Sequence, residues 1–348
     1  MKNTFLFFAL ATILMILSCD KDDPIPNNPI QTFDNGVFIS FEGGFGQGNA
    51  VVYFLDQQRG EYVPEIFRTV NQKPIGDILQ SIHFDDDKAY LVVNNSGKII
   101  EVNQKTFEET GTIEGLNAPT EIDIENGKGY IGSQYSDHVL VADMGSLTIT
   151  DTLYVGESSY LLKEEDGRLW ILSQSEYQGR VKNQIYYIDL ASQTLDSVAV
   201  GPNPLQWAFG DDDELFVYCS GIENGDAPAI YTINTESQTV ENNTQLNVEG
   251  GNFGRITYDD FSDRLLVQMP DGIYEYKPAQ GLGTTAIIPL HEIQYLYAMN
   301  VDPDNGRIYL GDARDFASSG AVYIFTGDGQ PFGSIPQAGI GPNHFYFE

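Results

Sequence analysis

The chain has 348 residues and sets 50 Asp and Glu against 18 Lys and Arg, a formal net charge of −32. That balance excludes nucleic acid as a partner, because backbone binding needs Lys and Arg to neutralise phosphates, and it favours solubility over docking on anionic headgroups. Two cysteines, Cys19 and Cys219, cannot make a disulfide framework, and although the length would permit two domains, one repeat runs through almost all of it.

Residues 1–18 read as a secretory leader. MKNTFLFFALATILMILSC carries one Lys before an apolar run too short and wrongly flanked for a spanning helix. Its end, Leu17-Ser18-Cys19, resembles the lipobox of bacterial lipoproteins, so Cys19 is expected to carry lipid and become the new N-terminus. Residues 19–35, rich in Pro, Asn and Asp, are expected to form a flexible tether. Within them Asp20-Lys21-Asp22-Asp23 resembles the export signal that sends lipoproteins of some Gram-negative phyla to the outer face of the outer membrane.

From Gly36 to Glu348 a two-strand phrase recurs seven times. Its first half is a short apolar run centred on Phe38, Tyr90, Tyr130, Trp170, Phe216, Leu266 and Tyr309 in turn. Its second half follows after a turn or loop, as in VVYFLD, KIIEVN, HVLVAD, IYYIDL, IYTIN, IYEYK and VYIFT. Asp or Asn closes five of these second strands: Asp56, Asn103, Asp143, Asp189 and Asn234. An inner-strand candidate precedes each aromatic run except the first, and a weaker polar segment follows each second strand. A spacing of about 40–50 residues with four strands per unit is the signature of a β-propeller. The fold expected is therefore all-β, a seven-bladed β-propeller over residues 36–348. The first aromatic strand has no inner partner before it and the chain ends on a surplus one, His344–Phe347, so the C-terminal strand is predicted to close blade 1.

The acidic clusters Asp85-Asp86-Asp87, Asp211-Asp212-Asp213, Asp259-Asp260 and Asp302–Gly306 occupy equivalent turns between inner and aromatic strands. Tight turns demand Asp, Asn and Gly, and none of the segments has the spacing of a calcium loop, so they are read as hairpins and no metal is expected. Motifs of nucleophilic hydrolases, zinc proteases, redox dithiols and phosphate-binding loops are missing, and no cofactor or catalytic residue is expected. The glycine-rich stretch Glu42–Asn49 is either a flexible loop or one whose backbone approaches a ligand. Of the four histidines, His83 and His138 sit in strands, whereas His291 and His344 adjoin loops before inner strands.

In a propeller the loops before the inner strands and those between the two middle strands emerge on one face. Here these are the long, chemically varied ones, where function usually resides. The candidate ligand contacts on that face are the aromatics Phe45, Tyr135, Tyr160, Tyr177, Trp207, Phe253, Tyr295 and Phe316, the amides Asn95, Gln134 and Gln174, the cations Arg255 and Arg314, and His344. Aromatic faces with amide and Arg donors and no obvious general base describe a binding pocket rather than a catalytic one.

GVFISFEGGFGQGNAVVYFLD, EIFRTVNQKPIGDILQSI and KAYLVVNNSGKIIEVN, spanning Gly36 to Asn103, resemble the opening blades of YVTN/YncE-like surface lipoproteins of Gram-negative bacteria. That resemblance implies a seven-bladed propeller. One branch of the group captures cobalamin at the cell surface and hands it to a TonB-dependent outer-membrane transporter. It therefore implies a ligand-capture lipoprotein held to the membrane by its lipid alone, with a corrinoid as one candidate cargo and such a transporter as partner. The alternatives are a protein-interaction scaffold and a propeller enzyme such as a lactone hydrolase or quinone-dependent dehydrogenase.

Overall fold

Short apolar runs without helical period are strands whose two faces are both covered, and that is how the repeat folds. The computed structural model describes residues 32–174, 180–211, 213–223, 225–246 and 254–348; the expected leader, Cys19 and the tether up to residue 31 lie outside them. Aromatic strands such as Gly36–Phe41 and Ile308–Asp312 are buried at every position, whereas outer strands such as Thr148–Tyr154 are exposed at nearly all.

Seven antiparallel sheets result. From the inner strand outward, blade 1 is Pro342–Phe347, Gly36–Phe41, Val51–Asp56 and Glu61–Val63. Blades 2 to 5 are regular four-stranded meanders with inner strands Leu79–Asp85, Pro119–Glu125, Leu161–Glu165 and Pro204–Phe209. Blades 6 and 7 begin on Ile256–Asp259 and Leu296–Val301. The fold is the seven-bladed β-propeller that the repeat predicts. Two details depart from it: a short helix, Ile66–Asn71, stands between blades 1 and 2, and the outer edge of blade 6 is split into Gly281–Leu282 and Ile288–Pro289.

Ring closure is as expected. Val37 pairs with Phe347, Ile39 with Phe345 and Phe41 with Pro342. The buried Asn343 also reaches sideways: its Oδ1 accepts from Ser40 Oγ at 2.6 Å, and its Nδ2 donates to the carbonyls of Leu79 and Gln80 in blade 2. The core lies in layers between blades. One such layer joins Val37, Ile39 and Phe345 of blade 1 to Tyr309, Val322 and Ile324 of blade 7, with Tyr309 and Phe345 ring centroids 5.5 Å apart. Phe33, placed in the tether by composition, is buried instead, edge-on to Phe54 at 5.4 Å, with its N–H bonded to the Lys105 carbonyl. The packed unit therefore extends back to Thr32.

The Asp and Asn residues that close the second strands are turn caps. Asp143 Oδ1 accepts from the N–H and hydroxyl of Ser146, and Asp189 does the same with Ser192. Asn103 and Asn234 take N–H groups of Thr106 and Ser237. This is the Asx turn that makes short acidic and amide side chains compete with regular structure. In the hairpins between inner and aromatic strands, Asp86, Asn126, Asp166 and Asp263 take φ of 52, 53, 52 and 49°, the left-handed conformation these residues tolerate best.

A polar ring on the propeller axis

Inner strands of a propeller present one end to the central axis, and here those ends are irregular. Five of the seven change register near their first residues, between Leu79 and Ser81, Pro119 and Ile122, Pro204 and Gln206, Leu296 and Ala298, and opposite Ser40 and Phe41 in the closing strand. A bulge inserts a residue without a ladder partner and re-aims the side chains beside it. Side chains at these strand entrances converge, five of them beside such bulges. Gln80 of blade 2, Glu121 of blade 3, Tyr160 of blade 4, Gln206 of blade 5, Arg255 of blade 6, Tyr297 of blade 7 and His344 of blade 1 surround one cavity of about 50 Å³, with Glu42 on its wall. Each blade contributes at least one polar side chain.

The groups on this ring differ in how far their bonding capacity is met. Glu42 is held by the Tyr297 hydroxyl, which donates to its Oε1 at 2.7 Å, and the Arg255 guanidinium lies flat over the Tyr297 ring, 4.6 Å from its centroid. Tyr160 and Gln80 hydrogen-bond to each other. Glu121 takes the Leu162 N–H on Oε2 at 2.7 Å. Among the described residues its Oε1 has no partner, no carboxylate lies within ion-pair distance of Arg255, and the buried Nδ1 of His344 is also unpartnered. Burial pushes the Glu121 carboxyl up to about 8 and raises Glu42, whose bond from Tyr297 and neighbour Arg255 work the other way. Burial, with the Arg255 charge beside it, pulls His344 down to about 4. At neutral pH, Glu121 thus retains its proton and His344 is uncharged.

Below this ring, towards the hairpin face, the channel widens into a chamber of about 310 Å³ that shares Glu121, Arg255 and His344 with it. Trp207, Phe209, Tyr258, Met299 and Ile256 line the chamber, and Lys163 Nζ sits 4.5 Å above the Phe209 ring. A separate cleft of about 360 Å³ lies off the axis, against the helix Ile66–Asn71.

Of the residues singled out from sequence, Tyr160, Arg255 and His344 belong to the ring. Trp207 reaches the axis too, but from mid-strand and in the lower chamber, which corrects its placement on the loop face. Tyr295 and Phe316 form a rim over Tyr297, with Phe316 centred 5.0 Å from Tyr295 and 4.8 Å from Tyr297. Phe45 and Tyr135 stand well out in solvent, 79% and 72% exposed, with Gln134 beside Tyr135 in the same loop and its N–H on the Ala118 carbonyl. Arg314 is not a free donor: its guanidinium bonds the carbonyls of Ser319 and Pro336 and fixes its own loop. Asn95 is tied to Asp77 and Gln174 to the Leu205 carbonyl. Tyr177 and Phe253 lie outside the described residues. The glycine loop is pinned as well, since Asn49 takes the Gly44 N–H and Asp77 that of Gly46.

Sequence reading missed Glu42, Gln80, Glu121, Gln206 and Tyr297. A weak signal was present: LQSIHF, PTEIDI, PLQWAF and NHFYF each carry a polar residue at the second or third place of the inner strand, Gln80, Glu121, Gln206 and His344. Helping to bound the chemistry, the Cys219 thiol is buried within a strand and pushed up to about 12 by that burial, so it is no nucleophile. Among the described residues no three His, Cys, Asp or Glu side chains converge as metal donors, and no helix is long and apolar enough to cross a membrane.

Fold and site together define a seven-bladed β-propeller with a polar constriction on its axis. Within that class, residues 35–244 match the model of a domain of unknown function, DUF5074, and the chain belongs to that family. No curated protein matches it. Among solved structures it is similar to a quinonprotein alcohol dehydrogenase-like protein from Bacteroides thetaiotaomicron, at 14% identity and a TM-score of 0.71 over 91% of this chain and 79% of that one. It is also similar to a functionally unknown protein from Desulfotomaculum acetoxidans, at 13% identity and 0.64 over 90% and 98% of the two chains. A third is the hydrazine synthase of Kuenenia stuttgartiensis, at 16% identity and 0.63 over 75% and 86%. At such identities the likeness is one of fold alone.

Proposed function

We propose that this chain is a lipid-anchored, cell-surface protein that captures a small molecule in the axial pocket and passes it to an outer-membrane transporter of the TonB-dependent kind. The observation that supports capture is the ring itself: at least one polar side chain from each blade around a single cavity, where the buried His344 Nδ1 is unpartnered and Arg255 makes no ion pair among the described residues. Buried polar groups normally find partners within the protein, so an unpartnered His344 Nδ1 on a shared polar cavity favours a seat for something else. The ring has no nucleophile paired with a base, which favours binding over catalysis. A propeller enzyme would bring a metal or cofactor to the axis, visible in elemental analysis and the absorption spectrum of the purified protein.

The pocket bears on the cargo. Its chamber of about 310 Å³ stands at the low end of pockets that hold drug-sized ligands, about 300–1,000 Å³, and does not admit a corrinoid. The second reading, a corrinoid, therefore requires the loop face, where Phe45 and Tyr135 stand exposed. The test is ligand recovery. Wild-type and Arg255→Ala proteins are incubated with bacterial extract, washed and denatured, and the released small molecules are compared by mass spectrometry. A species enriched at least about tenfold on wild type alone, the loss of one charge-assisted bond, is the expected outcome; equal recovery on both removes the axial seat. The anchor is tested separately by palmitate-analogue labelling, which Cys19→Ala should abolish without unfolding the propeller, since the packed unit begins at Thr32.

A further inference from the structure

Arg255 and Glu121 line the same cavity of about 50 Å³, yet among the described residues neither makes an ion pair. A buried guanidinium without a partner is costly, and among the described residues no carboxylate closes on Arg255. Each of these two is held apart by its own anchor. Arg255 is laid flat on the Tyr297 ring, and Glu121 is fastened across to blade 4 through the Leu162 N–H. Glu42, the other carboxylate on the wall, is engaged by the Tyr297 hydroxyl. The cavity is large enough for a charged head group, and the chamber of about 310 Å³ that opens from it has Trp207, Phe209, Met299 and Ile256 on its walls alongside the polar Lys163, Asp260 and Asn300.

We propose that the axial pocket takes a small zwitterion of the α-amino acid type, its carboxylate on Arg255, its ammonium on Glu121 and an apolar or aromatic side chain in the chamber below. The inference rests on the reading of this pocket as the ligand seat and names the class of its occupant. A plain carboxylate would satisfy Arg255 and leave Glu121 facing an anion; a plain amine would meet Glu121 and be opposed by Arg255. A molecule carrying a carboxylate and an ammonium on one carbon uses both groups. A consequence follows for protons. The groups that face Glu121 are Asp123 on its own strand and Tyr160, Arg255, His344 and Tyr346 from the strands around it. In that setting the free carboxyl holds its proton at neutral pH, and an arriving ammonium displaces it, so binding releases a proton to the buffer.

The test is titration calorimetry at pH 7 with L-phenylalanine, 3-phenylpropionate, which lacks the ammonium, and 2-phenylethylamine, which lacks the carboxylate. Phenylalanine should bind and each truncated compound should bind about tenfold to a hundredfold more weakly. The heat for phenylalanine should differ between Tris and phosphate buffers, reporting proton release, and Glu121→Gln should remove that difference. If 3-phenylpropionate binds as well as phenylalanine, the zwitterion is wrong while the axial seat stands as a carboxylate site. If none of the three binds at millimolar concentration, the inference is overturned, and the capture reading is then decided by the ligand recovered with wild type and Arg255→Ala.

Discussion

The two ends of the blades use the same kinds of residue to opposite effect. At the turns after the second strands, Asp143, Asp189 and Asn234 are exposed or half-buried and each is closed onto its own backbone, its carbonyl-type oxygen occupied by an N–H two or three residues on. At the entrances of the inner strands, Glu121 and His344, beside bulges, and Arg255 line a shared cavity, and His344 Nδ1 keeps no partner among the described residues. Acidity alone does not separate the two regions; the turns are the more acidic. What separates them is whether the local chain can satisfy the group. A short side chain beside its own turn is satisfied by sequence neighbours, whereas a side chain drawn to the axis from one of seven strands depends on what the other six bring.

The largest effect should come from removing the strand on which both the ring and the site depend. Deleting Pro342–Glu348 strips the inner edge of blade 1, takes Phe345 out of the layer against Tyr309, and removes His344 and Asn343 from the pocket. It also leaves Gly36–Phe41 as a long apolar edge of the kind that aggregates. Loss of one buried Phe contributes about 3–5 kcal/mol by itself, which for a chain of this size is a drop of about 5–8 degrees in Tm from that residue alone. A truncated protein that melts within a degree or two of the intact one would show that closure does not hold the ring.

An intermediate effect, with a sign set by the axial environment, is expected from Glu121→Gln. The folded carboxyl is raised to about 8 from an ordinary value of 4.5. Below the ordinary value both folded and unfolded chains hold the proton and the group is neutral to stability. As pH rises towards 8 the unfolded chain ionises and the folded one does not, so stability is lost across that window. His344, lowered to about 4 from 6.5, acts the other way and costs stability as pH falls through that lower range. The Gln variant should therefore gain Tm relative to wild type between about pH 5 and pH 8, with the two curves converging on the acid side. Parallel melting curves across the whole range would mean that Glu121 is solvated and the pocket is not the buried site described.

The blades were legible from the chain because their causes are local. Aromatic strands buried on both faces produce uninterrupted apolar runs, and the Asp or Asn at the end of a second strand is read directly as the turn it caps. Ring closure was legible from the order of copies. The pocket was not, because its residues come from every blade: Gln80 and Tyr297 stand more than half the chain apart, and neither has a sequence neighbour that marks it. Bulges leave no residue signature, so beyond its place near the start of an inner strand nothing distinguished Glu121 from the other carboxylates. Arg314 shows the converse error. As a rare cation on a long loop it looked like a ligand contact, but its guanidinium holds the Ser319 and Pro336 carbonyls, and backbone partners of that kind cannot be read from side-chain chemistry. Trp207 was found for its type and misplaced in depth, since strand position, not loop membership, decides which side of the constriction a residue reaches.

The smallest effect tests the other half of the comparison. Asn234 ends the second strand of blade 5, and its Oδ1 accepts the Ser237 N–H at 2.7 Å across a turn that the Ser237 and Thr239 hydroxyls reinforce. Replacing it with Ala removes one hydrogen bond between a partly exposed pair, a net loss of about 0.5–1.5 kcal/mol, because water takes over the freed N–H. In a domain of this size that is a fall of about 1–2 degrees in Tm. Ligand affinity should not change, since the turn lies at the outer part of the blade and shares no hydrogen bond with the axial ring. Measuring Tm and ligand affinity on the same Asn234→Ala and Arg255→Ala preparations places the two regions on opposite axes: the turn variant moves stability alone, and the axial variant moves affinity. If Asn234→Ala weakened binding as much as Arg255→Ala does, the caps and the ring would be one coupled system, and the division between satisfied and unsatisfied polar groups would carry no functional meaning.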